Sequence, residues 1–176
     1  MKAIVKDAPK KGFSLIDVDE PELKSSHDVK IKVLKVSICG TDIHIYRWDN
    51  WAKNRIKSLP QIDGHEFVGK VVEIGKEVKN VQPGDLVVGD SHIPCGYCYH
   101  CRNGNMHVCQ NLKILGVDTN GVFSEFIVLP DVVLLKIDES IPLEYASVME
   151  PLGNAIFTTT AADLRGSVVL IAGAGP

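Results

Sequence analysis

The sequence predicts a mainly β fold with short helices: a small, partly open barrel over residues 1–150, running at 151–176 into a linker helix and the first strand of an α/β unit. Three observations predict it. Short apolar-alternating runs recur between turn residues as far as Pro142. Residues 91–112 carry no hydrophobic period but hold four cysteines. After Pro142 the pattern turns helical and then ends in a continuous apolar run followed by Gly-x-Gly.

Residues 2–6 and 13–18 read as strands around Pro9 and Gly12, and Val29 to Val36 alternates apolar residues with Lys30, Lys32 and Lys35, the pattern of a half-buried antiparallel sheet. Thr41 to Trp48 reads as a short helix capped by Thr41 or Asp42, followed by a polar and aromatic loop from Trp48 that ends at Pro60. His65 to Ile74 and Leu86 to Val88 return to strand character, divided by Gly75 and the Pro83-Gly84-Asp85 turn. Asn120-Gly121 predicts a hairpin turn ahead of strands at Phe126–Leu129 and Val132–Ile137. Helices are expected over Leu143–Met149 and Leu152–Leu164, separated by Pro151 and stopped by Arg165-Gly166. Val168 to Ala172 has the composition of a strand buried on both faces, and Gly173 and Gly175 directly after it form the first half of a dinucleotide-binding fingerprint.

The 176 residues suffice for one full domain and a fragment. A net charge of -3 leaves no basic footprint for nucleic acid or for an acidic membrane surface, so small molecules and protein are the expected partners. The first twelve residues lack the apolar core of a signal peptide, and no apolar run approaches the roughly 18 residues of a membrane span. A cytoplasmic location is expected. There an odd cysteine count, with four of the five between positions 95 and 109, points to thiolate metal ligands more than to disulfides.

Cys95, Cys98, Cys101 and Cys109 stand as C-x2-C-x2-C-x7-C, spacing that turns successive thiolates towards one tetrahedral ion. Zinc is the expected metal. Iron–sulfur clusters also use C-x2-C, but the Cys-Pro pair that often closes such a motif is absent, Gln110 following Cys109. Four protein ligands leave no room for substrate, so this site serves to fix a lobe, 91–112, that has no core of its own. Cys39, His65 and Glu66 form a mixed sulfur, nitrogen and oxygen set that would leave zinc an open position for water or substrate. Any one of them alone reads as packing or as a satisfied polar residue. With Thr41 and His44 at short fixed distances from Cys39, the group is hard to explain as structure.

In order, Cys39-Gly40-Thr41-Asp42-x-His44, Gly64-His65-Glu66, the four-cysteine lobe, Glu150-Pro151 and Gly173-x-Gly175-Pro176 resemble the zinc-dependent medium-chain alcohol dehydrogenases, over the whole chain. The resemblance implies a GroES-like catalytic barrel, and a Rossmann domain of which only the first strand is present. It also implies two zinc ions per intact chain, one catalytic and one structural, and NAD and a homotetramer for the full-length protein. Residue by residue, it implies that Cys39, His65 and Glu66 hold the catalytic zinc, that Thr41 accepts the substrate proton, and that His44 relays it to solvent. Asp42 is expected to orient His65. Glu150 is expected either to approach the zinc or to assist the relay, and His92 to stand near the substrate. Within the family, the stretch from His44 to Ala52 with its two tryptophans, and Pro151-Leu152-Gly153-Asn154-Ala155, are similar to members that oxidise the hydroxyl of L-threonine. A sister polyol or butanediol enzyme is the alternative. A non-enzymatic zinc-binding module is the reading from another class, should the chain end at Pro176.

Overall fold

A computed structural model describes residues 1–173. The expected nucleotide-binding residue Gly175 lies outside the described residues. The chain runs β1 (Lys2–Lys6), β2 (Ser14–Asp17), β3 (Asp28–Ser37), α1 (Gly40–Arg47), α2 (Asn50–Arg55), β4 (Gln61–Ile62), β5 (Glu66–Ile74), β6 (Leu86–Gly89), β7 (His92–Ile93), α3 (Tyr99–Arg102), β8 (Lys113–Ile114), β9 (Phe126–Pro130), β10 (Leu134–Lys136), α4 (Leu143–Ala146) and α5 (Met149–Thr160). The strands form a three-stranded sheet in the order β2-β1-β4, a five-stranded sheet in the order β10-β6-β5-β3-β9 and the pair β7-β8, all antiparallel.

A bridge between Ala3 and Ser124 ties the first two sheets together. Their facing residues, among them Val5, Val29, Ile31, Phe67, Val71, Val87, Ile127 and Leu129, make one buried core. This is the mainly β, partly open barrel that the alternating runs predict. β3 carries the chain out of the core to Cys39, and β5 begins at Glu66. Their register pairs Ser37 with Glu66. Strands far apart in sequence thus bring the two halves of the mixed ligand set to one end of the barrel.

Gly64 fixes the approach to that end. Its φ of +90° lies where a side chain is strained, and a Cβ there would stand 2.3 Å from the ring of Phe123. A Cβ at Gly121 would stand 2.1 Å from the Gly64 carbonyl oxygen. Gly64→Ala is therefore expected to destabilise the fold by more than about 2 kcal/mol, because strain and overpacking act together. An unchanged thermal midpoint in that variant would contradict this.

Several local expectations are corrected. Cys39, not Thr41 or Asp42, is the N-cap of α1. Asp42 works from the third helical position, its Oδ2 accepting the Cys39 backbone N–H at 2.7 Å. The expected loop after Trp48 contains α2, because Asp49 accepts from the backbone N–H groups of Trp51 and Ala52 and so caps a helix. Asn120-Gly121 makes no hairpin. The Gly121 N–H donates to the Ile62 carbonyl at 2.8 Å and Asn120 Oδ1 accepts from the Ile62 N–H, so the segment docks on β4. A 3-10 turn at Asp131–Val133 interrupts the run expected at 132–137. Pro151 does not divide two helices. It occupies the first turn of α5, where its missing N–H would have had no intrahelical acceptor.

The expected strand over Val168–Ala172 does not form among the described residues. Val168, Leu170 and Ile171 are exposed and no strand among the described residues is placed beside them, whereas a strand of that composition needs neighbours on both edges. Nothing within 4 Å crowds Gly173, whose φ is +122°. No helix among the described residues is long and apolar enough to cross a membrane.

Candidate active site

The structure gathers the sequence-predicted ligands into two groups. One ligand atom from each of Cys95, Cys98, Cys101 and Cys109 lies within 4.8 Å of the others, and the same holds for Cys39, His65 and Glu66. All five cysteines are free thiols. In the first group the Cys98 and Cys101 sulfurs are 3.5 Å apart and those of Cys98 and Cys109 3.9 Å. A disulfide needs about 2 Å, whereas four sulfurs about 2.3 Å from one zinc stand about 3.8 Å from each other. The spacing therefore fits a closed tetrahedral site.

The lobe directs hydrogen-bond donors at the sulfurs of Cys95 and Cys109, whereas burial pushes the Cys101 thiol up. The backbone N–H groups of Cys95 and Asn111 donate to Cys109 Sγ at 3.3 Å, and the Asn111 amide reaches Cys95 Sγ at 3.7 Å. Desolvation raises the Cys95 pKa, but the donors at Tyr97, Cys98 and Asn111 outweigh it and bring the thiol down to about 6. Among the described hydrophobic residues, Leu112 alone packs with the cysteines of this cluster, so a metal is the natural centre for the segment.

The second group stands where β3, α1 and β5 meet. His65 and Glu66 are buried, and Cys39 is half-buried at the start of α1. His65 Nδ1 faces Asp42 Oδ1 at 3.5 Å, the carboxylate–imidazole pairing expected from the sequence, which leaves Nε2 free to act as the ligand. Glu66 is pushed up from the ordinary carboxylate range, first by desolvation and then, against the pull of His65, by the charges of Glu150 and Asp42. Asp42 is likewise raised by burial. A thiol, an imidazole and a buried carboxylate crowded by other carboxylates, with three protein ligands in all, suit a divalent cation with one position open.

Asp63, which sequence reasoning missed, adds to this acidic interior. Neither of its buried oxygens has a hydrogen-bond partner, and desolvation followed by the Asp42 charge pushes it up to about 7. The unfolded chain gives up this proton first, so stability is full below the ordinary aspartate range and falls as pH rises towards 7. Raising a carboxyl from 3.8 to about 7 corresponds to on the order of 4 kcal/mol. In zinc-free protein, Asp63→Asn is expected to be close to wild type below about pH 4, to draw ahead by pH 5 and to be clearly more stable at pH 7.5. A gap independent of pH in denaturant titrations would contradict this.

Thr41 and His44 lie three residues apart on α1 and so share a face, Thr41 half-buried and His44 exposed. His44 Nδ1 pairs with Asp49 Oδ2, and its ring lies 5.7 Å from that of Trp51. Asp49 lay in a stretch expected to be loop, and its pairing with His44 carried no sequence signal. A third group joins Asp90, His92 and Glu150 within the same 4.8 Å. His92 Nδ1 is 2.9 Å from Asp90 Oδ1, and this hydrogen bond raises the imidazole pKa. Buried Ser91 donates to Glu150 Oε1 at 2.6 Å, and Asn154 Nδ2 approaches the same oxygen at 3.3 Å. Glu150 thus stands outside the Cys39 ligand group while its charge acts on both Glu66 and His92.

The family model described as alcohol dehydrogenase GroES-like domain matches residues 25–139. L-threonine 3-dehydrogenase of Pyrococcus horikoshii is 54% identical over 176 residues, all of this chain and 50% of that protein. The enzyme of the same name from Pyrococcus abyssi is 53% identical, with the same coverage. The crystal structure of an alcohol dehydrogenase, rspB, from Escherichia coli CFT073 complexed with NADH superposes with a TM-score of 0.80 at 35% identity, covering 92% of this chain and 45% of that one. The chain spans about half the length of the relatives it matches.

Proposed function

The chain belongs to the alcohol dehydrogenase family, its barrel being the GroES-like domain, and from that premise we propose that the full-length protein is a zinc-dependent L-threonine 3-dehydrogenase. It would oxidise the threonine hydroxyl to 2-amino-3-oxobutanoate with NAD as the acceptor. The observation that carries the chemistry is the three-ligand set of Cys39, His65 and Glu66, with the Thr41 hydroxyl two residues beyond its cysteine. The choice of threonine rests on the relatives' names and on the match along the entire chain.

A zinc ion in the open site acts as a Lewis acid that lowers the pKa of a hydroxyl brought to it. The protein's residues supply the rest. Cys39, His65 and Glu66 would hold that ion, and Asp42, whose Oδ1 faces His65 Nδ1 at 3.5 Å, would orient the ring. Thr41 takes the substrate proton, and His44, on the same helix face, passes it outwards to its partner Asp49 and to solvent. Glu150 assists on the substrate side and is not a ligand, consistent with its place outside the ligand group. His92, held by Asp90, lines the substrate pocket. Cys95, Cys98, Cys101 and Cys109 hold the second, structural zinc.

Turnover by the full-length protein tests this reading. L-threonine with NAD should be preferred over 2,3-butanediol and sorbitol. A strong preference for either diol-type substrate would move the protein to a sister polyol enzyme with the same metal and relay residues.

A further inference from the structure

Lys6 on β1 is buried to 1% exposure, and neither the metal sites nor the proton path uses it. Its ammonium donates to three backbone carbonyls: Lys10, Gly12 at 2.9 Å and Tyr46 at 3.3 Å. It also sits between two rings, 5.5 Å from the centroid of Phe13 and 5.2 Å from that of Trp48. Three donors meeting three acceptors satisfy a buried ammonium fully. Two of the acceptors belong to the β1–β2 loop. The third belongs to the last turn of α1, where carbonyl groups lack helical partners and the helix dipole favours a cation.

The same junction is closed from other sides. The Gly12 N–H donates to the Tyr46 carbonyl at 2.8 Å, and the rings of Phe13 and Tyr46 meet edge-on at 5.5 Å. Trp48 ends α1 in a left-handed conformation with φ of 54°, its N–H donating to the His44 carbonyl at 3.0 Å. On β1 itself Lys6 stands opposite Gln61 in the β1–β4 backbone ladder, so this one residue connects the strand that leads to Asp63 and His65, through its backbone, with the helix that carries Thr41 and His44, through its side chain.

We propose that Lys6 is a positioning residue: its ammonium pins the C-terminal end of α1 to the β1–β4 edge and thereby sets Thr41 and the His44–Asp49 pair against His65 and Glu66. Its effect on turnover rests on the proposed proton path. Its effect on the helix end does not.

The test uses full-length, zinc-loaded protein. In Lys6→Met, which keeps the length and packing of the side chain without the charge, hydrogen exchange should rise about tenfold in peptides covering Gly12 and Trp48 and stay unchanged in β3 and β5. Zinc content should hold while kcat falls about tenfold with little change in KM, the signature of misplaced groups rather than lost binding. Lys6→Arg should recover part of both. In the unaltered protein, acetic anhydride should modify Lys6 at least about tenfold more slowly than the exposed Lys10 and Lys11, a measurement that holds even if Lys6→Met fails to fold. Unchanged exchange at Gly12 and Trp48 in a folded Lys6→Met, or Lys6 acetylated as fast as Lys10, would overturn the staple. Faster exchange with unchanged kcat would overturn its role in positioning. The exchange and labelling arms need no substrate, so a protein that failed to oxidise threonine would leave them decisive.

Discussion

Cys98→Ser is expected to unfold the lobe around Ser91–Leu112 and to cost more than about 3 kcal/mol, since a structural zinc site contributes folding energy directly and this segment has little else. Apart from Ser91, its buried residues are Cys98, Cys101 and Cys109, which among the described hydrophobic residues pack with half-buried Cys95 and Leu112. The short β7–β8 pair closes the lobe at its base with two residue pairs, too few to hold it. Loss should therefore appear in stability and assembly before chemistry. His107 in the lobe stacks on Phe157 of α5, ring centroids 5.0 Å apart, so damage would also reach the helix that begins beside Glu150. Thermal unfolding and zinc analysis of the variant decide the matter. Lost activity with an unchanged midpoint and full zinc would contradict the structural assignment.

Thr41→Ala in the full-length protein is expected to lower kcat by about 10²- to 10⁴-fold with zinc content unchanged, the usual range for a group that moves a proton in the rate-limiting step. The hydroxyl lies on the first turn of α1, two residues from the cysteine ligand, and its removal leaves Cys39, His65 and Glu66 untouched. Loss of the His44 imidazole should have a smaller effect, because solvent can take over an exposed relay. If Thr41→Ala turned over at the wild-type rate across pH, the proton path assigned to α1 would be wrong.

The two candidate metal groups were legible in the sequence for different reasons. The four-cysteine lobe announces itself by spacing alone, because its ligands are close in the chain. The mixed set is split between Cys39 and the pair His65 and Glu66, so in the sequence it stood out only by its ligand types and by Thr41 and His44 close to Cys39, and the family resemblance supplied the individual roles. The fold explains the gap physically: antiparallel pairing of β3 with β5 brings Ser37 opposite Glu66, a long-range register that no local pattern encodes. Tertiary context also hid Asp63 and Lys6, since a buried charge reads in sequence like any surface charge. Local turn chemistry misled at Asn120-Gly121, where the expected hairpin is displaced by docking onto Ile62. At Val168–Ala172 the composition of a central strand found no partner strand among the described residues.

The central claim is one open and one closed zinc site on the same barrel, with oxidation dependent on the open one. It is tested most directly by graded chelation of the full-length protein, with zinc content, threonine turnover and unfolding midpoint followed on the same samples. Two zinc ions per chain are expected at the start. The first should leave with all of the activity and little of the stability, and the second should leave only as the fold is lost. A single zinc in unchelated protein, or turnover that survives departure of the first ion, would contradict the account.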